Sequence, residues 1–152
     1  MTVTVLSRKE ALRRLSDNTL PNTAVIAFHD PDKAPVRYPF EHVFYVPVRD
    51  LDPIALPRFS LSFESYFPEA DALARFIQNA VQKGLPLTAQ CDYGESRSAA
   101  CAAAILEYYE KRGIEIFADY RYYPNQMIFN KLLAALRQSD KDCKQPPSVK
   151  NA

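Results

Sequence analysis

An α/β domain with a central, mostly parallel sheet flanked by helices is the architecture this sequence predicts, and three observations carry the reading. Short apolar runs alternate along the chain with one-sided helical stripes, the pattern of strands and helices packed in layers. One strand, one loop and one alanine-rich helix follow each other directly between residues 85 and 112. At 152 residues, 47% hydrophobic and 24% charged, the chain can bury one core and is short for two.

Taken in order, residues 2–6 form an apolar, β-branched run that reads as a strand. Ser7-Arg8-Lys9-Glu10 has the spacing of a capping box and opens a short helix through Leu15. Residues 24–28 and 43–48 read as two further strands, separated by a loop containing Pro31, Pro35 and Pro39. Leu73, Phe76, Ile77, Ala80 and Val81 share one helical face and end before Gly84. Residues 85–90 read as a buried strand, 98–112 as a helix that stops at Gly113, and Phe129, Leu132, Leu133 and Leu136 as the stripe of a last helix. Beyond Gln138 the chain turns polar and carries Pro146-Pro147, so a domain over 1–138 followed by a flexible tail over 139–152 is expected.

Composition excludes several functions. A net charge of +1, from 19 basic and 18 acidic residues, offers no field for nucleic acid or a membrane surface. The first ten residues lack the apolar stretch of a secretory signal and no run approaches a membrane span, so a cytoplasmic location is expected. Cys91, Cys101 and Cys143 form no metal or redox spacing, and an odd count argues against a disulfide framework. With His29 and His42 the only histidines, neither a metal site nor a cofactor is expected.

Chemistry concentrates in Gln90-Cys91-Asp92-Tyr93-Gly94-Glu95-Ser96-Arg97-Ser98. A loop between a strand and a helix is an anion site, because the first N–H groups of the helix have no internal partner and lie at the positive end of its dipole. Gly94 allows the loop to turn its N–H groups inward as a nest. Arg97 supplies a permanently charged fork that matches two phosphate oxygens. Cys91 faces the same positive field, which favours the nucleophilic thiolate, and the Ser98 hydroxyl can donate to that sulfur. The candidate phosphate-binding residues are therefore Asp92, Tyr93, Gly94, Glu95, Ser96 and Arg97, with Cys91, Arg97 and Ser98 as candidate catalytic groups.

Cys91-x5-Arg97-Ser98 with Gly94 resembles the signature loop of the cysteine-based protein tyrosine and dual-specificity phosphatases, and of their small bacterial-type members in particular. Val46-Pro47-Val48-Arg49-Asp50, Arg75-Phe76-Ile77 and Pro124-Asn125 stand where such proteins have similar elements, so the resemblance extends over 23–136. It implies a phosphatase-like single domain and a hydrolase working through a cysteinyl phosphate. Its substrate would be phosphotyrosine or another aryl or protein phosphate. It also implies an aspartate, on a loop after a strand a few tens of residues upstream, that protonates the leaving group; Asp50 fits, and Asp52 competes. Gln90 departs from the pattern, which has histidine before the nucleophile, and a neutral amide there can hold hydrogen bonds but adds no charge. Asp92 and Glu95 are expected to face outward as an acidic rim that disfavours polyanions. Two rival readings are a non-catalytic protein that binds phosphorylated ligands, and an oxyanion or thiol-redox protein.

Overall fold

The computed structural model describes residues 1–144, and the side chains of 1–141. Four strands, β1 (Val3–Leu6), β2 (Ala24–His29), β3 (Val43–Pro47) and β4 (Leu87–Gln90), form one sheet in the order β1-β4-β2-β3. Every pairing is parallel, with Leu6 opposite Gln90, Ala27 opposite Gln90 and Ala27 opposite Tyr45. All four carboxyl ends therefore open on one edge, delivering Ser7, Cys91, Asp30 and the 48–50 segment side by side. In an open parallel sheet that edge is where ligands bind.

The strands alternate between two cores, as the period of two requires. Ala24, Ile26, Phe28, Val46 and Ala89 face a large layer made by α2 (Ala70–Gln82), α3 (Arg97–Glu110) and α5 (Gln126–Lys144). Leu6, Val25 and Ala27 face a smaller layer with Ala11 of α1 (Arg8–Ser16), Val36 and Tyr38. Helix α3 lies between the sheet and α5, and residues 99–105 have no exposed surface. Its alanines follow from that position, since a helix buried all round packs closely only when its side chains are small.

Three sequence expectations change. The helix expected to stop at Gly113 ends on Lys111, which takes the left-handed conformation (φ 56°). Gly113 has an ordinary φ of −58°; its role is close approach, because a Cβ there would lie 2.9 Å from the Ala103 carbonyl oxygen. The last helix runs past Gln138 to Lys144, with Ser139 Oγ donating to Gln78 Oε1 of α2 at 2.6 Å, so residues 139–144 of the segment expected as a tail are helical; its remainder, 145–152, lies outside the described residues. A short helix, α4 (Ile114–Phe117), and a 3₁₀ turn over Leu56–Phe59 follow loops that carry no long apolar period. No described helix is long and apolar enough to cross a membrane.

Candidate active site

The loop from Cys91 to Arg97 leaves β4 and enters α3 at the carboxyl edge of the sheet. Its base is fixed by backbone bonds to the end of β1 and the start of α1: Cys91 N–H donates to the Leu6 carbonyl at 3.2 Å, and Arg8 N–H to the Asp92 carbonyl at 3.0 Å. Gly94 takes φ 69°, and a Cβ there would fall 2.7 Å from Ser7 N and 2.9 Å from Leu6 C. Glycine is thus required twice, for its backbone angle and for the closeness of β1.

Cys91 is buried, and its Sγ lies 3.0 Å from the hydroxyl of fully buried Ser98. The hydroxyl proton can point at the sulfur. At the N-terminus of α3, Ser96 makes no side-chain cap; its hydroxyl donates instead to Asp50 Oδ1 at 2.8 Å. The first N–H groups of α3 are left without a side-chain partner, close to the thiol.

Arg97 is buried to within 5% of full enclosure. Its Nη1 donates to Asp30 Oδ1 at 2.8 Å and to the Val48 carbonyl at 2.7 Å, while Nη2 reaches Asp92 Oδ2 at a long 3.4 Å. A guanidinium so enclosed requires compensating carboxylates and acceptors. Asp30 did not emerge from the sequence reading; the signal available was its position just past a strand end. The Asp92 carboxylate turns in toward Arg97 rather than outward, so of the expected acidic rim only Glu95 is exposed, beside Tyr93 with 81% of its surface free.

Gln90 forms a buried clamp. Its Oε1 accepts from the Tyr38 hydroxyl at 2.7 Å and its Nε2 donates to the Cys91 carbonyl at 3.0 Å. Burial raises the Tyr38 pKa well above that of a free phenol, so the hydroxyl remains a donor at any physiological pH.

The two candidate acids separate clearly. Asp52 Oδ1 accepts from Ala55 N–H at 2.9 Å, closing its own turn. Asp50 instead meets the cradle: both Ser96 Oγ and Asn125 Nδ2, at 2.8 and 2.9 Å, donate to its Oδ1. Asn125 is the hub of this wall. Its Nδ2 also reaches the Leu51 carbonyl (3.0 Å) and the Tyr66 hydroxyl (3.2 Å), and its Oδ1 caps α5 by accepting from Ile128 N–H. Tyr66 donates to the Arg49 carbonyl at 2.5 Å, and burial pushes its pKa up to about 12, which keeps that donor protonated. Asp50, Asp52, Ser96, Tyr123, Asn125 and Met127 line a cleft of 490 Å³ beside the loop.

The remaining cysteine with a described side chain, Cys101, is fully buried in α3, and burial raises its thiol pKa far out of the reactive range. Among the described residues no group of three or more His, Cys, Asp or Glu side chains could hold a metal ion.

No protein-family model matches the chain, and no curated protein matches it. Solved structures do. The chain is similar to human DUSP28 (17% identity, 92% of this chain and 94% of that one, TM-score 0.58) and to DUSP15 (16%, 91% and 90%, TM-score 0.58). It is also similar to PTPMT1, solved in complex with PI(5)P (15%, 93% and 94%, TM-score 0.54). With its four-stranded parallel sheet and flanking helices, this single α/β domain has the fold of the dual-specificity phosphatases.

Proposed function

We propose that the protein is a phosphate monoester hydrolase that works through a cysteinyl phosphate on Cys91, with phosphotyrosine or another aryl or protein phosphate as substrate. The observation that carries this reading is the 3.0 Å approach of Ser98 Oγ to Cys91 Sγ in one loop with buried Arg97, at a helix start whose N–H groups have no side-chain cap.

In the first step the Cys91 thiolate attacks phosphorus, and the bond to the leaving oxygen breaks as Asp50 gives that oxygen a proton. Both donors to Asp50 land on Oδ1, which leaves Oδ2 for the proton. Arg97 and the loop N–H groups hold the three non-bridging oxygens, where charge accumulates. Only the long contact to Asp92 has to give way, since the two short bonds from Nη1 anchor the guanidinium without occupying Nε. In the second step Asp50 takes a proton from water, the oxygen attacks phosphorus, and the Cys91 thiolate leaves, stabilised by the Ser98 hydroxyl.

The mouth of the site supports this choice of substrate class. Exposed Tyr93 offers a face on which an aryl ring can stack. Similarity to dual-specificity phosphatases supports a phosphorylated substrate and does not favour a purely binding, non-catalytic protein. The thiol-redox reading lacks a resolving thiol among the described side chains, with Cys101 inert.

The test is hydrolysis of p-nitrophenyl phosphate. The wild-type protein is expected to turn it over, and Cys91→Ser to lose at least about a thousandfold in kcat while still binding vanadate. Turnover retained in Cys91→Ser would refute the mechanism.

A further inference from the structure

Resting on the hydrolase reading, we propose a substrate preference: a groove on the α1 side of the loop takes an acidic side chain of a phosphopeptide, adjacent to the phosphorylated residue. The groove measures 850 Å³ and is lined by Ser7, Arg8, Lys9, Leu12, Lys33 and Ala34, with Asp92 and Tyr93 of the loop as its shared wall. The Arg8 N–H to Asp92 carbonyl bond joins groove and cradle, so an extended chain whose phosphate sits over Cys91 passes directly into it.

The charges in the groove are one-sided. Arg8, Lys9 and Lys33 bring three cations, and the only acid among the described residues of the lining, Asp92, already faces Arg97. Arg8 donates to the Ala34 carbonyl at 3.2 Å, which spends one of its five donors and no charge. Lys33 lies 3.6 Å from Asp30, but its side chain is 64% exposed and Asp30 is held more closely by Arg97, so the pairing is weak. The carboxylate of Asp32 faces Arg49, and Glu10 on α1 faces Arg13 and Arg14.

Half-exposed Leu12 and exposed Tyr93 add apolar surface between these cations. Separated cations with apolar patches between them suit the spaced side chains of a peptide; a second phosphate group would need convergent donors. The opposite wall carries Asp50 and Asp52, so the preference is confined to one flank of the phosphorylated residue.

The experiment measures kcat/KM on phosphotyrosyl peptides carrying Glu or Lys on either flank, each normalised to the same enzyme's rate on p-nitrophenyl phosphate. Glu on one flank is expected to exceed Lys there by about tenfold at low salt, with the gap closing as salt screens it, and Lys9→Glu with Lys33→Glu is expected to reverse the order. Equal rates for Glu and Lys peptides would overturn the proposal. So would rates on phosphoinositide vesicles that exceed all peptides and collapse in the double variant. If p-nitrophenyl phosphate itself is not hydrolysed, the hydrolase reading fails separately. The same peptides are then ranked by equilibrium binding, where an absent Glu preference overturns the groove.

Discussion

The cradle and the loop that carries Asp50 sit on the same edge of the sheet, yet they are built by opposite means. Around Cys91 the restraints are backbone bonds to β1 and α1 and buried side chains, Gln90, Arg97 and Ser98. Asp50, by contrast, is exposed and owes its place to two hydrogen bonds from residues distant in sequence, Ser96 and Asn125. A phosphate site must be preformed, because its donors act only if no reorganisation is needed when charge develops. A proton donor must reach a leaving group of variable shape, and an exposed carboxylate on a short loop can do so. Under the proposed mechanism, burial at Cys91 and exposure at Asp50 fall where the two roles need them.

That contrast can be broken at both ends. Asp50→Asn keeps the hydrogen bonds from Ser96 and Asn125 but removes the transferable proton; kcat on p-nitrophenyl phosphate is expected to fall about a hundredfold. Asp52→Asn, which retains an acceptor for Ala55 N–H, is expected to change kcat far less, and the reverse ranking would move the acid role to Asp52. In the cradle, Tyr38→Phe leaves Gln90 Oε1 buried and unpaired, and a loss of about 2 kcal/mol in unfolding free energy is expected by denaturant titration. An unchanged midpoint would show that the clamp is not part of the cradle's rigidity. The smallest effect is expected at Asp92→Asn, which removes a carboxylate that competes with phosphate for Arg97. Vanadate should bind about threefold to tenfold tighter, measured by competition against p-nitrophenyl phosphate.

The same contrast decides what could be read in the sequence. Cys91, Gly94, Arg97 and Ser98 fall within eight consecutive residues, and a strand–loop–helix context made their joint geometry inferable from spacing alone. Short apolar runs announced every strand, and helical stripes, a capping box and an alanine-rich stretch the longer helices. Asp30, Tyr38 and Tyr66 gave no such signal, because each meets the site through pairing across the sheet or between loops, at separations of 67, 52 and 59 positions from Arg97, Gln90 and Asn125. Asn125 could have been recognised as the cap of α5 from its place before the last apolar stripe, though not as the holder of Asp50. Gly113 was misread because a glycine after a helix ordinarily marks a left-handed cap, whereas here Lys111 takes that conformation and the glycine serves packing. Asp92 was misplaced because burial of Arg97, which draws the carboxylate inward, is a tertiary fact.

The central claim is that phosphate passes through Cys91. It is tested most directly by quenching the enzyme in acid during turnover of p-nitrophenyl phosphate and measuring the mass of the peptide that contains residue 91. The account predicts one added phosphoryl group on Cys91 in the wild-type protein, accumulating further in Asp50→Asn with a substrate whose leaving group needs no proton, and absent in Cys91→Ser. Turnover with no labelled Cys91, or a label that survives in Cys91→Ser, would contradict it.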